Sequence, residues 1–240
     1  MSDAEQITAA LREISDTPLD PVPAAVFTGL PFYGVGLRDL ERVAKRWLRE
    51  HSDATAPQVL ALADELWLRA IREEMVTATF LLQHRPDATE LFGVRRIDRW
   101  GALLDGWELT DNLGGRVTGP WAVAAPEKRL PAIERLITRR NPFLRRLALV
   151  VCVWLGRQED SDRWWPQTSR MVLALREDKE ASIPKAISWV LRTHLRHSAA
   201  AVAVFLDDHW DELPAIARRE TRNKLLTGTK TGKSRRGASA

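Results

Sequence analysis

The stretch Val59-Leu60-Ala61-Leu62-Ala63-Asp64-Glu65-Leu66-Trp67 decides the fold class. Its apolar residues advance in steps of three and four, which lines one side of a 3.6-residue helix and cannot line one face of a strand. Working outward, Leu37, Leu40, Val43, Ala44, Trp47 and Leu48 form the same kind of stripe before it, and Met75, Val76, Thr79, Phe80 and Leu82 after it. Further helices are expected from about Pro131 to Thr138, Pro142 to Leu155, Trp165 to Leu175, Ile183 to Leu195, Ala199 to Leu206 and Pro214 to Leu226. Period-two alternation is nearly absent. Breaks are predicted at Ala56-Pro57, Arg85-Pro86-Asp87, Gly114-Gly115, Gly119-Pro120, Asn141-Pro142 and Leu213-Pro214. Several of these place proline in a first helical turn, where its missing N–H has no intrahelical bond to lose.

Helix pairs then recur every 35 to 45 residues or so, roughly over 36–67, 71–104, 107–139, 142–175 and 183–209, the period of HEAT-type repeats. The expected fold is all-α, a HEAT-like helical-repeat solenoid whose stacked pairs build a concave face. Three regions are expected: an acidic N-terminal segment over 1–20, read as one helix, a repeat domain over 21–226, and a basic tail over 227–240. That tail lacks apolar residues and is expected to be disordered.

At 240 residues, 45% hydrophobic and 28% charged, the chain has the composition of a soluble protein large enough for a full core. Its longest apolar run, Leu147 to Leu155, covers nine residues, far below the roughly 20 needed to cross a bilayer. The start, Met-Ser-Asp-Ala-Glu, has no basic and apolar leader, so a cytoplasmic location is expected. The single Cys152 allows no intramolecular disulfide and no thiolate zinc set. Net charge is only +4, but it is unevenly spread. Residues 1–30 carry one Arg against five acids, Glu127 to Arg157 eight basic residues against two Glu, and Arg218 to Ala240 eight against one. A basic block and a basic tail suit a polyanionic partner.

Two segments can carry chemistry. Trp107 and Asp111 are four residues apart, so an indole and a carboxylate share one helix face; a core Trp followed by a helix-end Asp has the same spacing. Trp189 lies among Ile183, Ala186, Ile187, Val190 and Leu191, where it reads equally as core. Arg145 and Arg146 follow Asn141-Pro142-Phe143-Leu144 at a helix start, a favourable place for a phosphate, although a solvated Arg pair fits too. Arg139, Arg140, Lys185, Arg192 and Arg196 extend the positive charge. His194 and His197 have no carboxylate or imidazole nearby to complete a metal set and read as surface residues. Gly34-Val35-Gly36 lacks the third glycine of a phosphate loop, and no serine has nucleophile-elbow spacing.

Five stretches together resemble the AlkD-like family of DNA alkylation-repair glycosylases, which are built of HEAT-like repeats. They are Phe32-Tyr33-Gly34-Val35; Glu65-Leu66-Trp67 with Arg72-Glu73; Trp107-x-x-x-Asp111; Asn141-Pro142-Phe143-Leu144-Arg145-Arg146; and Ile183-Pro184-Lys185-Ala186-Ile187-Ser188-Trp189-Val190-Leu191-Arg192. In order and spacing they cover roughly residues 24 to 226. The resemblance implies that Trp107 and Trp189 are the indoles at a lesion, Asp111 the catalytic carboxylate and Arg146 a backbone-contacting arginine. Arg145, Arg140, Lys185 and Arg192 would join the DNA-binding set on the concave face. The family's N-terminal tyrosine is replaced, the nearest aromatic being Phe27, and its aromatic before the catalytic Trp is replaced by Gly106.

The resemblance thus implies a monofunctional glycosylase acting on 3-methyladenine, 7-methylguanine or bulky N3/N7 adducts in duplex DNA. It would act in base excision repair without base flipping, without metal or cofactor, and as a monomer. N3- and N7-alkylated purines are cationic and leave readily. A carboxylate has then to stabilise the oxocarbenium-like sugar and orient water, while indole faces hold the cation by contacts of about 0.5–2 kcal/mol each. The other reading of the same sequence is a non-catalytic HEAT-repeat scaffold that binds DNA or protein.

Overall fold

The computed structural model describes residues 1–16 and 28–233. It is all-helical, with no strand among the described residues. The chain divides into two compact units, residues 1–125 and 126–240.

The first unit contains α1 (Asp3–Asp16), α2 (Leu37–Glu50), α3 (Ala56–Leu68), α4 (Arg72–Gln83), α5 (Pro86–Glu90), α6 (Gly93–Gly101), α7 (Trp107–Leu113) and α8 (Gly119–Ala124). The acidic N-terminal helix α1 packs on α2 and α3 through Ala4, Ile7 and Leu11. Helix α3 begins where Pro57 occupies the first turn and the Gln58 side chain accepts the Thr55 backbone N–H at 2.8 Å. Helix α4 is the axis of the unit: α2, α3 and α7 surround it, so every residue from Arg72 to Leu82 is buried, polar ones included. Tryptophans fill the gaps. Trp67 and Trp100 stack at 4.4 Å, with Phe92 edge-on, and their indole N–H groups donate to the Trp100 carbonyl and to Asp64.

Helical structure continues where the glycines predicted breaks. Between α7 and α8 the segment Gly114–Thr118 is a π-helix, closed by the Gly119 N–H on the Gly114 carbonyl. Leu109, Leu113, Val117 and Trp121 are all buried and recur every fourth residue. A strict four-residue repeat drifts out of phase with an α-helix, and a π turn adds about one residue and restores the phase. Burial of that stripe outweighs the cost of about 1 kcal/mol for each interior glycine.

The second unit contains α9 (Pro126–Glu134), a 3-10 turn (Arg135–Thr138), α10 (Pro142–Leu155), α11 (Ser161–Ala174), α12 (Ser182–His194), α13 (Ala199–Asp208) and α14 (Ala215–Thr227). Pro131 does not open its helix as expected, and the helix expected from Trp165 begins at Ser161. Pro131 lies one turn inside α9 between buried Leu130 and Ala132, and Pro166 one turn inside α11 after buried Trp164 and Trp165. The central helix here is α10, apolar almost throughout, with α11 and α12 against it and α14 against α12. His194 corrects the surface assignment: it is fully buried, its Nε2 is 3.1 Å from the Cys152 carbonyl, and its ring lies 5.3 Å from that of Trp165. After α14, Gly228 adopts the left-handed conformation that ends the helix (φ 72°), and Asn223 donates to the Lys230 carbonyl in the succeeding turns. Residues 228–233 of the expected disordered tail are thus in turns; 234–240 lie outside the described residues.

Candidate functional site

In the first unit the candidate pair sits on α7. Gly106, extended at φ −157°, lets the chain enter the helix, and Trp107 is its first residue. All ten tryptophans lie among the described residues. Six are buried, Trp154, Trp189 and Trp210 are half-buried, and Trp107 is the exposed one, at 41%. Asp111, one turn further on, is half-buried. Of the three residues between them, Leu109 and Thr110 face the core, and the Thr110 hydroxyl donates to the Gly106 carbonyl at 2.8 Å. An exposed indole and a part-exposed carboxylate therefore share the outer face of a helix whose inner face is packed.

Three sets of contacts fix that helix from outside. Asp105, two residues before Trp107, accepts the Thr28 hydroxyl at 2.7 Å and the Gly29 N–H at 2.7 Å. Glu108 receives both Nε (2.9 Å) and Nη2 of Arg72, a bidentate pair reaching across from α4. Asn112 donates to the Glu108 carbonyl at 2.9 Å and accepts from Arg116 in the π segment, whose guanidinium lies 4.2 Å from the Phe80 ring centroid. Burial lowers the Arg116 pKa, against the opposing pull of Glu41 and Glu108.

Arg72 is only 2% exposed and also donates to the Val35 carbonyl (3.1 Å) and to Glu73 (3.1 Å). Glu73, fully buried, accepts the backbone N–H groups of Tyr33 (2.9 Å), Gly34 (3.0 Å) and Val35 (3.2 Å). One carboxylate thus gathers three consecutive amides, a turn that Gly34 permits at φ 87°. Tyr33 donates its hydroxyl to Glu74 at 2.7 Å, and burial, then that hydrogen bond, pushes its pKa up to about 12. It is a structural tyrosine. Its neighbour Phe32 is 56% exposed. Phe27, the expected third aromatic, lies outside the described residues.

In the second unit α12 presents a mixed face. Ala186, Ile187, Ser188, Val190 and Leu191 are buried, whereas Trp189 is half-buried, Lys185 and Arg196 are exposed and Arg192 is half-buried. Their spacing of four, three and four residues places the indole in a row of cations. Arg192 Nε lies 3.1 Å from the Ser188 hydroxyl and 3.4 Å from Glu220, and burial lowers its pKa. Lys224 donates to the Arg192 carbonyl at 2.9 Å, and burial, then Arg192 itself, lowers the lysine's pKa.

The start of α10 is capped by Asn141, whose side chain accepts the Phe143 N–H at 2.9 Å. Arg145 and Arg146 come next, and neither is the open guanidinium fork or solvated pair expected from the sequence. Arg145 makes a bidentate pair with Asp178 and donates to the Arg139 and Arg140 carbonyls; Asp178, despite its burial, is held below the usual carboxylate range by that arginine. Arg146, 5% exposed, donates to the carbonyl of Ser182, the first residue of α12, and so ties α10 to α12. Arg140 and Lys185 are exposed cations of this unit.

Comparisons with known proteins bear on what these units serve. The family described as DNA alkylation repair enzyme matches residues 7–225. The chain belongs to that family. It is accordingly an enzyme of alkylated-DNA repair, with DNA as partner. Comparison with curated proteins finds no match. Among solved structures, a predicted DNA alkylation repair enzyme from Enterococcus faecalis shares 18% identity and a TM-score of 0.60, covering 91% of this chain and 92% of that one. AlkD2 from Streptococcus mutans shares 16% identity at TM-score 0.55, covering 84% and 89%. The protein smu.31 from Streptococcus mutans UA159 shares 16% at 0.57, covering 86% and 90%. At such identities the likeness concerns the helical-repeat fold.

Within this DNA alkylation repair enzyme, Trp107 and Asp111 are brought together on α7, while Trp189, Lys185, Arg192, Arg145, Arg146 and Arg140 belong to the second unit. Nothing in the sequence alone assigned a role to Arg72, Glu73 or Glu108. The first two stood in a recognised stretch, and Glu108 stands between Trp107 and Asp111, but only folding pairs residues 36 positions apart.

Proposed function

We propose that this repair enzyme is a monofunctional DNA glycosylase that hydrolyses the N-glycosidic bond of cationic alkylpurines in duplex DNA. The observation that carries the reading is the placement of Trp107 as the exposed indole among ten, one turn before the half-buried Asp111 on the same helix. In a 3-methyladenine or 7-methylguanine nucleotide the base already bears positive charge. The bond from C1′ to the ring nitrogen breaks with its electron pair moving onto the base, which leaves neutral. The sugar becomes oxocarbenium-like, Asp111 offers it negative charge and orients a water, and that water adds to C1′ and passes its proton by way of the Asp111 carboxylate to solvent. A leaving group of this kind needs no Lewis acid. The indole of Trp107 offers the cationic nucleotide a ring face, and the half-buried Trp189 is a second indole suited to such a contact.

The exposure of Trp107, at 41%, supports engagement of the lesion without extrusion of the base and tolerance of bulky adducts. Arg140 and Lys185 supply contacts to the phosphates. Arg145 and Arg146, already engaged within the second unit, hold the helix starts from which those contacts are made. The test is incubation of the protein with duplex DNA carrying a single 7-methylguanine, in the presence of a chelator. Free 7-methylguanine identified by mass, together with an alkali-labile abasic site and no strand scission before alkali, is the expected result. DNA binding with no released base would refute the glycosylase reading in favour of a DNA-binding scaffold.

A further inference from the structure

Helix α7 is seven residues long and enters from an extended glycine; Leu109, Thr110, Asn112 and Leu113 pack its inner face, while its outer face, with Trp107 and Asp111, is left to be held from the flank. The proposed chemistry needs Trp107 and Asp111 at defined positions. At 3.6 residues per turn Asp111 lies about 40° round from Trp107, and Glu108 a further 60° or so beyond Asp111. Glu108 therefore occupies the flank next to the reactive face, and it is bound bidentately by an arginine that is itself immobilised. Arg72 is 2% exposed, and its other donors go to Glu73 and the Val35 carbonyl; Glu73 is locked in turn by three backbone amides. From the Arg72 backbone, a further hydrogen bond of 3.0 Å reaches the Pro31 carbonyl.

We propose that the Arg72–Glu108 pair is a clamp that sets the rotation of α7, making both positioning residues for the reaction that Trp107 and Asp111 carry. The inference rests on the glycosylase reading above. A buried ion pair is a weak source of stability, since apolar residues of similar volume often do as well, whereas its two-point geometry fixes orientation well. If the helix turned by 20° on release of Glu108, a side-chain atom 5–6 Å off the axis would move by about 2 Å. A misplacement of about 1 Å at a reacting centre can cost on the order of a hundredfold in rate.

The experiment compares wild type, Glu108→Ala and Glu108→Gln in single-turnover excision of 7-methylguanine, with DNA affinity measured alongside. Glu108→Ala leaves Arg72 paired with Glu73, so the fold is expected to survive. Its excision rate constant should fall 10- to 100-fold, with DNA affinity within about threefold of wild type. Glu108→Gln, which keeps the side-chain shape and an acceptor for Arg72, should recover most of the rate. Fluorine NMR of 5-fluorotryptophan protein gives a readout without DNA. The Trp107 resonance, assigned by its loss in Trp107→Phe, should shift or broaden in Glu108→Ala. Excision by Glu108→Ala within threefold of wild type would overturn the clamp, as would an unmoved Trp107 resonance. If Glu108→Ala does not fold, Arg72→Lys takes its place, and a wild-type rate in it refutes the proposal. If wild type itself releases no base, the glycosylase reading fails, and the fluorine signal alone decides whether the clamp orients α7.

Discussion

Acid should loosen the second unit through one imidazole. Burial lowers the His194 pKa from 6.5 to about 4, only partly opposed by its hydrogen bond to the Cys152 carbonyl and the charge of Asp162. The unfolded chain takes up a proton at this histidine around pH 6.5 and the folded one only near pH 4. Between those values the unfolded state binds more protons, so stability falls as pH falls. The stabilisation from keeping His194 neutral is fully present above pH 6.5, declines through the window and has been lost below about pH 4. Worked from these two values, lowering the pH from 7.5 to 5.0 costs about 2 kcal/mol, a large part of an ordinary domain's 5–15 kcal/mol. The consequence for function is local, because α12 carries both His194 and Trp189 and is held to α10 at this point. The assay is urea unfolding at pH 7.5 and 5.0 for wild type and for His194→Gln, whose amide can donate to the same carbonyl but does not titrate. Wild type should lose about 2 kcal/mol more than the variant over this interval. Equal losses in the two proteins would refute the reasoning.

The remaining predictions concern the same surfaces. A Cβ at Gly156 would lie 2.6 Å from His194 Cδ2 and 2.9 Å from its Nε2, so Gly156→Ala should destabilise by about 1–3 kcal/mol in urea unfolding; unchanged stability would contradict the close packing. Trp189→Ala should weaken excision of a cationic lesion by the worth of one ring-face contact, about 0.5–2 kcal/mol in single-turnover kcat/KM, with thermal stability little altered, and a wild-type value would remove that indole from the site. Lys185→Ala and Arg140→Ala should each flatten the dependence of log Kd on log salt by about 0.9 for any duplex sequence, measured by fluorescence anisotropy. An unaltered slope would exclude the residue from phosphate contact.

Much of the architecture was legible because apolar periodicity is a property of the chain itself. The stripes over 37–48, 59–67 and 142–155 became α2, α3 and α10 with ends within a few residues. Glycine and proline misled where packing overrode them. The Gly114-Gly115 pair lies in a π turn because Leu109, Leu113, Val117 and Trp121 demand one continuous buried stripe, and Pro131 and Pro166 lie inside helices anchored by their neighbours. His194 was misassigned although a signal existed: it continues the spacing of Ile183, Ile187, Val190 and Leu191, all of them core residues. Trp107 and Asp111 could be placed on one face from their spacing, but the exposure of that indole emerged only in the folded unit. Arg145 and Arg146 looked like free cations because their partners, Asp178 and Ser182, lie more than 30 residues away. The Arg72–Glu108 pair was hidden for the same reason, since periodicity carries no information on which charged residues meet.

The most direct measurement is the single-turnover release of 7-methylguanine from duplex DNA by wild type and by Asp111→Asn, with Kd for the same duplex determined across salt concentrations. If Asp111 stabilises the sugar cation, the amide variant binds with nearly wild-type affinity and salt slope and releases no base above background. Excision by Asp111→Asn at the wild-type rate would contradict the account, since the α7 carboxylate would then have no part in the reaction.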